Sequence, residues 1–201
     1  MTTIKICGLR HLKDIDMVNQ ARPDYAGFII DFPKSLRNVT TGELAAFKAR
    51  LHPKILAVGV FVDAPVDRMA SLVKDGLIDV IQLHGHEDNG TIAALRRQVT
   101  CPVIKAFKLM GPTEIPKIEK SLADLVLLDS GAGSGKTFDW SLTAKITRPF
   151  MLAGGLTPDN IGRAVAQVHP RGVDLSSGVE TGGVKDSAKV MAAVAAARMA
   201  S

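Results

Sequence analysis

The sequence predicts a single-domain α/β protein, a (β/α)8 barrel of the TIM type spanning residues 1–201. Three observations lead there. Short apolar runs, many of them β-branched, recur along the whole chain, and such runs suit strands buried on both faces of a parallel sheet. Amphipathic stretches separate them, and strict alternation demands right-handed βαβ crossovers. Polar, Gly-rich sequence follows many of the runs, as expected where the βα loops of one barrel face build a single site. A doubly wound open sheet is the rival, but it has fewer strands and one switch point. Eight units in 201 residues leave roughly 25 residues each, near the lower limit for the barrel, so helices and loops must be short.

The runs follow in order. TIKIC near Thr3 and YAGFII near Tyr25 are the first two strands, and ILAVGVFV from Ile55 is the third. Asp63-Ala64-Pro65 then opens a helix, with Asp as cap and Pro in the first turn, running through Met69, Leu72 and Val73. IDVIQL from Ile78, PVIKAF from Pro102 and DLVLLD from Asp124 are the fourth to sixth strands. FMLAG from Phe150 is the seventh, and Thr157-Pro158 opens the helix after it through Ile161, Ala164 and Val165. GVDLSS from Gly172 is the eighth, and Asp186 caps the closing helix. Connectors hold Gly, Pro, Asp or Asn, as loops do.

The bulk properties exclude several classes. With 46% hydrophobic and 22% charged residues, the balance is that of an ordinary globular domain. Two cysteines, Cys7 and Cys101, make no disulfide framework, so a reduced, cytoplasmic compartment is expected. MTTIKICGLR carries no signal-peptide pattern, and no apolar run approaches the ~20 residues that span a bilayer. The net charge of +5 suits a small anionic substrate as well as it suits nucleic acid. The Lys and Arg residues are scattered, and at 4% the aromatics are too few to stack bases, so no nucleic-acid partner is expected.

Strand C-terminal ends face the active side of such a barrel, so residues there carry the candidate chemistry. Cys7 ends the first run; a thiolate is a base or nucleophile where a cation supports it, and Lys5, two residues back, shares its face. The alternative is a small core hydrophobe. Cys101 precedes a strand, at the other end, and is read as structural. Asp129 closes the sixth run, where a carboxyl is costly unless it lies at the rim. It is either a general acid or a cap for the next loop. Gly154-Gly155 and Ser176-Ser177-Gly178 follow the last two strands, where many barrels bind phosphate with backbone N–H groups. Arg37 in PKSLRN has the planar fork that matches a carboxylate. Gln82 and His84 end the fourth strand, and Asp174 shares a face with Ser176. His84, His86 and Glu87 lack the helical spacing of a zinc site, so no metal is expected. Gly135-Lys136-Thr137 imitates a phosphate-binding P-loop, but Ser130 stands where the pattern needs Gly, so a mobile Gly-rich active-site loop is the better reading. The loops after the first and second strands are further candidates for closing over ligand.

The blocks KICG, GF…FPKSLR, VGVFV, DVIQLHG, LLDS with GSGKTFDW, LAGGLTPDN and GVDLSSGVETGGVKD occur in that order. Together they resemble the phosphoribosylanthranilate isomerase family of tryptophan biosynthesis, end to end. The resemblance implies a cofactor-free Amadori rearrangement of a phosphoribosyl substrate. It makes Cys7 the general base and Asp129 the general acid. It places Arg37 against the anthranilate carboxylate and Gly154, Gly155, Ser176, Ser177 and Gly178 around the phosphate. It puts Asp174 near the sugar hydroxyls, with Gln82 and His84 lining the site. There are departures: Leu36 stands where similar sequences carry Pro, Asp31-Phe32 precedes Pro33, and Ala132 and Ser134 interrupt the glycines of the sixth loop. The first two bear on the loop around Arg37, and the third is a mild change. The rivals are the sister isomerase of histidine biosynthesis, which resembles a two-aspartate arrangement, and a non-catalytic phosphosugar-binding barrel. The oligomeric state expected is monomer or homodimer.

Overall fold

The computed structural model describes residues 2–129 and 140–200. Eight parallel strands form its centre: β1 Thr3–Cys7, β2 Tyr25–Ile30, β3 Leu56–Phe61, β4 Val80–Leu83, β5 Val103–Lys108, β6 Leu125–Asp129, β7 Phe150–Leu152 and β8 Gly172–Leu175. Each pairs with its sequence neighbours, and β1 pairs with both β2 and β8, so the sheet closes on itself. The barrel expected from the sequence is therefore the fold. The observed strands are mostly shorter than the apolar runs, because a residue or two at a run's end belongs to the loop.

Seven helices surround the barrel among the described residues: α1 Leu12–Ala21, α2 Thr41–Arg50, α3 Val66–Lys74, α4 Asn89–Arg96, α5 Ile115–Glu119, α6 Pro158–Val168 and α7 Ser187–Met199. Between β6 and β7 the described helical segment is a short 3₁₀ stretch, Trp140–Lys145.

Alternation along each strand sorts residues into two cores. Val58, Val60, Val80, Ile104, Leu127 and Met151 fill the barrel. Ile4, Ile6, Phe28, Ile81 and Leu152 point outward, against Leu44, Phe47, Met69 and Leu72 of the helices. Each such side chain stabilises the fold by about 1.5–3 kcal/mol when fully buried.

The helix starts vary in chemistry. Asp186 accepts from Lys189 N at 3.2 Å, as expected of a cap. At α6 the Thr157 N–H donates to Asn160 Oδ1 at 2.8 Å. At α2 Thr40 and Glu43 exchange side-chain-to-backbone bonds, at 3.2 and 2.8 Å. Asp63 is a correction: α3 starts after Pro65, without a side-chain cap. Asp63 has φ 54°, and its carboxylate accepts from His86 N at 2.6 Å and pairs with His86 Nδ1 at 3.0 Å. It ties the loop after β3 to the loop after β4. Glu87 reinforces the same joint, accepting from Asp63 N at 2.7 Å and Gly85 N at 2.8 Å. Buried Lys105 closes it from outside the barrel, bonding Glu87 Oε2 at 3.0 Å and Gly85 O at 2.7 Å.

Candidate active site

A cavity of about 260 Å³ opens at the C-terminal ends of the strands. Of the eleven candidate residues, ten line it: Cys7, Gln82, His84, Asp129, Gly154, Gly155, Asp174, Ser176, Ser177 and Gly178. Arg37 does not line it. The alternation that fills the barrel with valine below delivers these polar groups at the top.

Cys7 and Lys5 share the inner face of β1. A Cβ built at Gly27 would lie 2.8 Å from Cys7 Sγ and 3.0 Å from Lys5 Nζ, so only glycine on β2 leaves room for both. Lys5 is fully buried and bonds both carboxylate oxygens of Asp174 at 3.0 Å. Burial pulls its ammonium down, but Asp174 and Cys7 outweigh that and hold its pKa above the ordinary value.

Asp129 ends β6, with His84 Nε2 3.8 Å from its Oδ2. Gln82 Nε2 lies 3.0 Å from His84 Nδ1. With Gln82 donating, the neutral imidazole carries its proton on Nε2, the nitrogen beside Asp129. Burial lowers the His84 pKa, against the pull of Asp129, which favours that neutral form. The three residues weighed for a metal and set aside, His84, His86 and Glu87, lie apart: His84 lines the cavity, His86 is exposed on Asp63, and Glu87 is buried under the loops. Among the described residues no cluster has a metal-holding arrangement.

The loops after β7 and β8 meet at one side. Gly154 and Gly155 have φ 84° and 67°, a left-handed pair leading into α6. Asn160 Nδ2 donates to Gly155 O at 2.9 Å and braces that loop. A Cβ on Gly178 would collide with the Leu156 carbonyl oxygen, so the two loops touch through backbone alone. Main-chain N–H groups beside the N-terminus of α6 favour an anion here.

Arg37 is engaged within the protein. Its Nε and Nη2 donate to Glu180 Oε1 and Oε2 at 2.9 and 2.7 Å. Lys185 Nζ bonds Glu180 Oε1 at 2.8 Å and Ser176 O at 2.9 Å. Leu36, the departure beside Arg37, is 87% exposed, and its carbonyl accepts from Arg10 Nη1 at 2.5 Å. The sequence reading missed Glu180 and Lys185. Their signal was Gly182-Gly183 between two short β-type segments, a two-residue hairpin mark. Cys101 lies before β5, away from Cys7, and burial pushes its thiol up. The Gly-rich loop expected from 130 to 139 lies outside the described residues.

Comparison with known proteins places these features in a family. Residues 4–196 match the family described as N-(5'-phosphoribosyl)anthranilate (PRA) isomerase. The N-(5'-phosphoribosyl)anthranilate isomerase of Endomicrobium trichonymphae is 42% identical over 199 residues, covering 96% of this chain and 97% of that protein. The crystal structure of phosphoribosyl anthranilate isomerase from Thermus thermophilus is 33% identical with a TM-score of 0.87, covering 98% of this chain and 99% of the other. A phosphoribosyl anthranilate isomerase in complex with reduced 1-(o-carboxyphenylamino)-1-deoxyribulose 5-phosphate is 29% identical with a TM-score of 0.84, covering 99% and 100%.

Proposed function

The chain belongs to the N-(5'-phosphoribosyl)anthranilate isomerase family, and from that premise we propose how its residues divide the chemistry. The enzyme catalyses the Amadori rearrangement of N-(5-phosphoribosyl)anthranilate to 1-(2-carboxyphenylamino)-1-deoxyribulose 5-phosphate in tryptophan biosynthesis. Asp129 protonates the furanose ring oxygen, and the C1–O bond breaks as the nitrogen lone pair forms a Schiff base. Cys7, supported by the Lys5 ammonium, removes the proton from C2. The resulting enolamine tautomerises to the ketone. Proton transfers alone balance the reaction, so one acid and one base suffice.

The supporting observation is the placement of Cys7 and Asp129 at the ends of two different strands of one barrel, both on the wall of one cavity. Gly154, Gly155, Ser176, Ser177 and Gly178 take the phosphate, which anchors the sugar between them. Arg37 takes the anthranilate carboxylate, Asp174 the sugar hydroxyls, and Gln82 and His84 the wall beside Asp129. Residues 1–201 act as one isomerase domain, as monomer or homodimer, in the cytoplasm, on a small-molecule phosphoribosyl substrate without nucleic acid or membrane. Among the described residues no helix is long and apolar enough to cross a membrane.

The test follows loss of substrate fluorescence, with the substrate made in situ, for wild type, Cys7→Ala and Asp129→Asn. Each variant is expected to lose at least ~10²-fold in turnover. A variant within threefold of wild type removes that residue from its role.

A further inference from the structure

The hairpin after β8 has no part in the acid–base chemistry, yet it is bonded to the loops after β1 and β2. Glu180–Thr181 and Val184–Lys185 are two-residue antiparallel strands joined by Gly182 and Gly183, whose φ values are 60° and 76°. Register sets Glu180 opposite Lys185, so the two side chains meet. Lys189 Nζ bonds the Glu180 carbonyl at 2.8 Å, and Arg10 Nη2 bonds the Gly183 carbonyl at 3.1 Å. The hairpin is therefore pinned at its base and at its tip.

We propose that Glu180, braced by Lys185, is a specificity-positioning residue that holds Arg37 in one orientation for the aryl carboxylate of the substrate. This rests on the reading of Arg37 above. A guanidinium has five N–H donors in a fixed plane. Glu180 takes the side-on edge, Nε and one hydrogen of Nη2. Three donors remain, and two of them, one hydrogen each on Nη1 and Nη2, form the end-on edge that a second carboxylate needs. The Arg37 stem is fixed as well. Its Cδ lies 2.5 Å from where a Gly8 Cβ would stand, and Ser176 Oγ lies 3.1 Å from the same point. Arg37 thus rests on the residue that follows Cys7, and Ser176 of the cavity wall lies close to the same point.

The charges agree with this role. Arg37, Glu180 and Lys185 sum to one positive charge, which one substrate carboxylate neutralises. Without Lys185, Glu180 would cancel Arg37 and repel the ligand. Lys185 is 2% and Glu180 7% exposed, so both act in a poorly screened place. Burial pulls Glu180 upward, but hydrogen bonds from Arg37 and Lys185 outweigh it and hold its carboxyl at about 2, ionised at every working pH.

The test is a selectivity ratio, read by calorimetric titration. One probe is reduced 1-(o-carboxyphenylamino)-1-deoxyribulose 5-phosphate; the other is the same reduced amine built from aniline, without the carboxylate. Wild type is expected to prefer the first by roughly 10- to 100-fold, the worth of a charged hydrogen-bond pair. Glu180→Gln is expected to bring that preference below threefold while the aniline probe stays within threefold of its wild-type affinity. Glu180→Asp keeps the charge beside Lys185 but withdraws it by one methylene from the fork. The same fall is expected there, and this variant decides if the Gln variant does not fold. A preference retained in the variants overturns the proposal. So does equal weakening of both probes, which makes Glu180 a structural tie only. If wild type binds both probes equally, the Arg37 assignment fails and takes the proposal with it; if it binds neither, the fault lies with the phosphosugar site.

Discussion

Two lysines of this barrel are buried to almost the same degree and do different things. Lys5 on β1 is 0% exposed and Lys105 on β5 is 3% exposed. Each has a carboxylate partner at 3.0 Å, Asp174 for the first and Glu87 for the second. Burying an ammonium costs several kcal/mol, and each pairing offsets that cost. The difference is parity along the strand. Lys5 alternates with outward-facing Ile4 and Ile6, so it points into the barrel, beside Cys7 and beneath the cavity. Lys105 alternates with inward-facing Ile104 and Ala106, so it points outward and locks the loops after β3 and β4. A buried charge in this fold faces the cavity or ties the loops according to the side of the strand it occupies; burial alone does not tell which.

Substitution sharpens the contrast. Lys105→Met leaves Glu87 buried without its cation. It should cost about 3 kcal/mol of stability in urea unfolding, with kcat of the folded enzyme within threefold of wild type. A large kcat loss at full stability would break the comparison.

Lys5→Met should instead lower kcat/KM by about 10²-fold, since it removes the cation beside the base. Combining it with Asp174→Asn should restore most of the lost stability without restoring activity. Recovery of both would make Lys5 another architectural lysine.

The smallest expected effect concerns acid. The folded-state value of about 2 for Glu180 lies below its ordinary 4.5. Its ion pairs therefore contribute fully above pH 4.5, and the contribution is lost as pH falls toward 2. In urea unfolding between those limits, Glu180→Gln should show a shallower pH dependence than wild type. Equal slopes would mean that the Arg37 and Lys185 pairs add nothing to the fold.

Much of this arrangement was legible beforehand. Strands buried on both faces announce themselves as apolar runs, and a barrel brings their C-terminal ends to one side, so Cys7, Asp129 and Asp174 were placed from position alone. Asp63 failed because Asp before Pro is an ordinary helix-start signal, whereas its true partner, His86, lies 23 residues away on another loop. Local pattern carries no trace of such a contact. Glu180 and Lys185 were hidden in strands of two residues, too short to show alternation. Arg37 was singled out for the fork that matches a carboxylate, and the carboxylate it meets in the structure, Glu180, lies 143 residues downstream.

The bond between Lys5 and Asp174 spans 169 residues. On a ribosome adding ~5–20 residues per second, Lys5 emerges on the order of ten seconds before its partner exists. Until then no carboxylate from β8 can accompany it out of water, and β1 has only one neighbour to pair with. The first strand made is thus among the last to be sealed. A chain that lacks β8 keeps an open edge and a hydrated ammonium beside Cys7, so the barrel and this wall of the cavity close together.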